Sequence, residues 1–172
     1  MTPLTVQMSL IDELKDMFKG YEYKNAKGDM VPLNVYMQDT PMQKYTPPEE
    51  YNEEYNGYMD EEESEIPVPY IIVNSGGHTG NYEDPNKVNI VLIVCIWDDG
   101  LNNEGHISVM NILQKIYERF AKDNNLRNIA VFDGQWNWLR QEDNYYPFFI
   151  GACTLSFNFA FVRKETHYDD YC

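Results

Sequence analysis

The chain is poor in positive charge. Its 172 residues hold 13 Lys and Arg against 28 Asp and Glu, for a formal charge of −15. A binder of the phosphate backbone needs clustered cations, so this balance excludes non-specific nucleic-acid binding. It fits partners that are proteins or cations. Cysteine is scarce as well, and Cys95, Cys153 and Cys172 are odd in number and widely spaced. No Cys-x-x-Cys pair exists, which disfavours a zinc knuckle. Reduced, buried thiols in a cytoplasmic protein are expected. The start Met1-Thr-Pro-Leu-Thr-Val6 lacks a basic n-region and a long apolar stretch, so no signal peptide is expected. The longest apolar run, Ile90 to Trp97, is too short to cross a bilayer as a helix. Gly-x-Ser-x-Gly and Gly-Lys-Ser/Thr motifs are also missing, which removes two common routes to nucleophilic and phosphate chemistry.

What is present points to one domain spanning 1–172. Residues 5–19 carry Leu10, Ile11, Leu14, Met17 and Phe18 at helical spacing, with Thr5 as a cap and Gly20 at the exit. A short extended piece, Val31 to Met37, follows. Residues 49–65 then hold eight Glu, one Asp and no cation, a charge of −9 that leaves −6 for the remainder. The run repels itself and predicts a flexible acidic loop at about 42–65. Its tyrosines suit it to ordering on a partner. The candidate docking residues are Glu49, Glu50, Tyr51, Glu53, Glu54, Tyr55, Tyr58, Asp60, Glu61, Glu62 and Glu63.

Tyr70 to Val73 reads as a strand, Asn74 to Lys87 as a glycine-rich polar connector, and Val88 to Trp97 as a second strand. Both faces of that second strand are apolar: Val88, Ile90, Leu92, Val94 and Ile96 on one, Val91, Ile93, Cys95 and Trp97 on the other. Such a strand is central and covered on both sides. One helix layer covers one face, and a neighbouring subunit is a candidate cover for the other. A helix over about 104–123 is marked by Val109, Ile112, Leu113, Ile116, Tyr117 and Phe120. Asn102 or Asn103 can cap it, Glu104 suits its positive end, and Asn124-Asn125 suits a left-handed exit. Ile129 to Phe132, a turn at Asp133-Gly134, and Trp136 to Arg140 read as a strand pair. From Phe149 to Val162 the chain alternates, with Leu155, Phe157, Phe159 and Phe161 on one face. A polar tail occupies about 164–172. The element order predicts an α+β fold, a mostly antiparallel β-sheet with helices packed on one face.

The richest candidate for chemistry is the segment after Trp97. Asp98, Asp99, Glu104 and His106 lie close in sequence, and His78 can arrive from the neighbouring hairpin. Clustered carboxylates do bind hard cations, which makes a metal-dependent hydrolase one alternative. Adjacent strand residues point to opposite faces, however, and neither EF-hand spacing nor His-x-x-x-His is present. A polar turn followed by a helix cap is the favoured reading, with no catalytic residue, metal or cofactor assigned. Trp136 and Trp138 share a strand face beside Arg140. With so little positive charge nearby, core or interface packing is favoured over base stacking. Trp97, Asp98, Asp99, Trp136 and Trp138 are the candidate interface residues.

The order of segments resembles the tail terminator, or tail completion, proteins of long-tailed bacteriophages and prophages. The resemblance runs from about residue 5 to 163. It is carried by Val35-Tyr-Met-Gln-Asp-Thr-Pro41, Pro67-Val-Pro-Tyr-Ile-Ile-Val73, Ile96-Trp-Asp-Asp99, Glu104-Gly-His106, Val109-Met-Asn-Ile-Leu113 and Tyr146-Pro-Phe-Phe-Ile-Gly151. Asn74 stands where that pattern favours an arginine or another long polar residue, and the insertion at 42–65 is long. The resemblance implies a ring-forming domain, usually a hexamer. Such a ring caps the tail tube, stops its polymerisation and docks the tail to the head connector. The implied partners are further copies, the major tail tube protein and the head–tail connector protein. DNA passes through without specific binding, and no membrane is involved. The implied location is the virion tail, assembled in the host bacterial cytoplasm. An acidic adaptor, whose 49–65 loop captures a basic partner, is the further alternative.

Overall fold

A computed structural model describes residues 2–41, 67–79, 86–100, 102, 104–141 and 145–160. The acidic run at 49–65 and the polar tail lie outside the described residues, as do Phe161 and Cys172.

The first helix, α1 (Pro3–Met17), buries Val6, Leu10, Ile11 and Leu14 along one stripe. It starts earlier than the spacing predicts. Thr2 caps it, its side chain accepting from the Thr5 amide, and Pro3 takes a first-turn position where a missing N–H costs nothing. Gly20 sits at φ 86° just past the helix, a backbone state that suits glycine. A small antiparallel hairpin follows, β1 (Glu22–Lys24) with β2 (Met30–Pro32). The extended piece expected over 31–37 is thus split, because Asn34–Met37 belongs to a different sheet as β3.

That sheet has six strands in the order β3-β4-β5-β8-β7-β6. They are β3, β4 (Tyr70–Thr79), β5 (Asn86–Trp97), β6 (Asn125–Leu126), β7 (Ala130–Arg140) and β8 (Phe148–Phe159). Only β3 and β4 run parallel, so the sheet is mixed but mostly antiparallel. The chain is α+β, as the sequence predicts. The Asn74–Lys87 connector is shorter than expected. Ser75, Gly76 and Gly77 lie inside β4, where a bulge absorbs the glycines and pairing resumes at Gly77 and Asn89. The predicted turn at Asp133-Gly134 is also a bulge. Both halves of β7 pair with β8, the register shifts between Phe132 and Trp136, and Gly134 takes φ 86°. A turn signal within one long strand and a turn signal between two strands look alike in sequence.

The second helix, α2 (Gly105–Lys122), buries Val109, Ile112, Leu113, Ile116 and Phe120. Its cap position is Glu104, whose side chain makes no cap hydrogen bond; of the two expected caps, Asn103 lies outside the described residues. The left-handed residues after it are Arg127 and Asn128, not Asn124-Asn125. Two glycines set how closely this helix approaches the sheet. A Cβ on Gly105 would lie 2.2 Å from the Phe149 ring, and one on Gly151 would lie 2.6 Å from Val109.

Both helices pack into a single core with Val88, Ile90, Leu92, Val94 and Ile96 of β5 and Leu155, Phe157 and Phe159 of β8. They therefore occupy the same side of the sheet. Near one end of the core Phe120, Phe132 and Phe157 meet at ring separations of 5.3 to 5.9 Å. Helix α1 touches β3 and β4 at one edge and β6 at the other, so the sheet curls around it. Glu13 fastens this closure, reaching Arg119 of α2 at 2.7 Å and Arg127 beyond β6 at 3.0 Å. No helix of the described residues is long and apolar enough to cross a membrane.

Candidate functional site

Adjacent strand residues point to opposite faces, so the odd-numbered side chains of β5 lie on the face away from both helices. Register puts Ile72, Ile93 and Ala152 side by side there, with Val91 beside Thr154 and Cys95 beside Ile150. Ile72 and Cys95 are buried at 8% and 2% exposure, whereas Val91, Ile93 and Ile150 are half-buried. At its lower corner Tyr70 and Tyr36 rings stand 6.5 Å apart. Burial pushes the Cys95 thiol up to about 11, partly offset by its hydrogen bond with Tyr70, and burial also raises Tyr70. Cys153, on the helix side, is pushed up to about 12 by burial. Both are free, buried thiols. At neutral pH neither supplies a thiolate, the form a nucleophile or metal ligand needs.

Asp98, Asp99, Glu104 and His106, which looked like a metal or acid–base set, have separate surroundings. Asp98 turns back on its own loop, its Oδ1 accepting from the Gly100 amide at 2.9 Å. Asp99 lies 3.5 Å from Lys24 of the hairpin, and its carbonyl accepts from the Tyr146 hydroxyl at 3.0 Å. Glu104 is exposed at the start of α2. His106 stacks edge-on against Phe149 with ring centres 4.6 Å apart. Burial lowers its pKa, and the neighbouring Arg140 lowers it further. Its Nδ1 is buried without a hydrogen-bond partner among the described residues. No group of three or more His, Cys, Asp and Glu side chains converges among the described residues. Among the described residues these side chains do not meet at one point. The chain bends at Asp98, and His106 faces the sheet.

The predicted interface residues fall on two sides of the sheet. Trp97 pairs with Phe148 and lies on the face away from the helices. Trp136 and Trp138 pair with Leu155 and Cys153 and lie on the helix side. Trp136 packs over Tyr117 of α2 at 5.4 Å, while Trp138 is 44% exposed. Beyond it, His106, Ile107, Met110 and Asn111 of α2 and Trp138 and Arg140 of β7 line a groove of about 560 Å³. Leu139 on the same strand is 76% exposed, a feature the sequence reading missed. Its signal was an unpaired strand edge, which requires the strand order.

No family model matches the chain, and no curated protein matches it.

Proposed function

We propose that the protein is a structural assembly protein of a phage tail. In this reading it is a terminator that forms a ring on the finished tube, stops its growth and docks it to the head connector. The observation that supports this most is the sheet itself. Both described helices cover one face, and the other face is apolar at one end, over Val91, Ile93, Cys95 and Trp97 of β5 and Phe148, Ile150 and Ala152 of β8, and polar at the other, over Asn89, Thr154, Ser156 and Asn158. A face of that kind is suited to contact with another copy, because association removes apolar surface from water. The ring reading takes the copies as a hexamer that uses the open face, with Trp97, Asp98 and Asp99 at its margin.

Charge fits the same reading. A surface dominated by carboxylates repels DNA phosphate and lets it pass without sticking. The acidic excess then lines the channel, and the 49–65 run faces tube or connector. A neutral or basic channel wall would remove the first of these assignments. Unchanged tail joining after deletion of 49–65 would remove the second. The direct experiment is electron microscopy of tails assembled without this protein. Overlong or headless tails are the expected outcome, and normal, joined tails contradict the reading.

A further inference from the structure

Among the described residues no strand pairs with the outer edge of β7 over Trp136–Arg140. β6 pairs only with Ala130 and Val131, and the Phe132 amide donates to the Asn124 carbonyl at 2.8 Å. Past that point no described strand lies on this side of β7. The direction of its backbone groups follows from the register. The Gln141 amide donates to the Ile150 carbonyl at 3.1 Å, so that opposed pair is a hydrogen-bonded one. Such pairs alternate along an antiparallel ladder. Leu139 and Asn137 therefore bond to β8, and the N–H and C=O groups of Trp136, Trp138 and Arg140 point outward.

The two edges of the sheet differ in how they are protected. The free end of β4 is interrupted by its bulge and by Gly76 and Gly77, devices that discourage pairing. The β7 edge beyond its own bulge has no Pro, Lys or Gly and no acidic residue from Gln135 to Arg140. It also carries exposed apolar surface: Trp138 at 44%, Leu139 at 76% and, across the groove, Ile107 at 59%. An edge with these properties accepts a further strand.

We propose that this edge pairs with the same edge of a second copy, antiparallel and two-fold about Trp138. The sequence is self-complementary in that register. Trp138 meets Trp138 of the other copy, and Trp136 meets Arg140 in both directions. All three pairs join residues whose backbone groups point outward, so each can close a pair of ladder hydrogen bonds. The side-chain pairs are equally matched, an aromatic pair at the centre flanked by two guanidinium–indole contacts. A chain of net charge −15 repels its copies, and this acid-free stretch is a place where two can approach. A five-residue ladder is short, and the apolar groove walls, Ile107 and Met110, supply the remaining buried area a stable dimer needs. The contact is two-fold and does not depend on the tail reading, whose ring closes by head-to-tail contacts.

Sedimentation equilibrium of the full chain, with hydrogen exchange read at single amides, tests it. The expected result is twice the 20.3 kDa chain mass at tens of micromolar. Slow exchange is expected at Trp136, Trp138 and Arg140 in that state. Trp138→Lys and Arg140→Glu each weaken association at least tenfold and restore fast exchange at these amides, while Trp138→Phe keeps the dimer. A monomer at all concentrations overturns the proposal, as does an oligomer unaffected by both charged variants. Slow exchange at these amides in a monomer also overturns it, because another segment then holds the edge. Tails of normal length formed with Trp138→Lys would leave the terminator reading standing whichever way the dimer falls.

Discussion

From Ile90 to Trp97 the two faces of β5 are built from similar residue types and meet different surroundings. On one, Val88, Ile90, Leu92 and Val94 are completely buried beneath two helices. On the other, Val91 and Ile93 are half-buried with no helix of the described residues above them. Composition therefore does not tell the faces apart. The connections do, because both helices return to the same side. The covered face is where folding energy is concentrated, and the other face keeps half-buried apolar side chains, the surface that the proposed ring would use.

Substitutions separate the two roles. The largest expected effect lies on the covered face. Phe157→Ala removes a fully buried ring that touches Phe120 and Phe132, and is expected to cost about 3–5 kcal/mol. Chemical denaturation measures it. Next is Gly151→Ala, whose new methyl group would meet Val109 and Leu113 under α2, for about 1–3 kcal/mol. Glu13→Gln breaks the link between α1, α2 and the β6 end. Its partners are partly exposed, so the loss is expected near 1 kcal/mol and shrinks with added salt, as thermal melts at two ionic strengths would show.

The thiols give a pH-dependent comparison. Folding raises both pKa values above the ordinary 9.0, so the protonated form is favoured in the native state. The contribution is fully present below about pH 9 and is lost as pH rises toward 11. In a Cys172→Ser background, thiol reagents at pH 8 are expected to react only on unfolding. Rapid labelling of the native chain would contradict burial of Cys95 and Cys153. His106 shifts the other way. Its folded value lies below 6.5, so its contribution is present above that pH and lost as the medium is acidified. An NMR titration of the imidazole protons measures the direction.

Much of this fold is readable from period alone. The stripe from Val109 to Phe120 and the alternation from Leu155 to Phe159 predict α2 and β8, and the two-faced run 88–97 predicts a central strand. What period cannot carry is the meaning of glycine. Gly77 and Gly134 mark bulges inside strands, where their neighbours read as loops. Spacing alone also left the Asp98–His106 segment open to a metal-site alternative. Four polar residues lie within nine positions, but Asp98 bonds within its own loop and His106 packs on Phe149, in line with the favoured polar turn. The open β7 edge was hidden for a third reason. An edge is a property of strand order, and β7 becomes one only because β6 is two residues long.

The open face carries the most direct test. Ile93→Thr with Ile150→Thr keeps β-branched side chains on β5 and β8 while making the face polar. Folding stability is expected to fall by less than about 2 kcal/mol, since both residues are only half-buried. Native mass spectrometry of the parent chain and this variant, over a range of concentrations, reads the association. The parent chain is expected to assemble beyond the two-copy edge contact as concentration rises, and the variant, with unchanged circular dichroism, to stop at two copies. The same oligomer from both chains would contradict the assignment of the open face as a subunit contact.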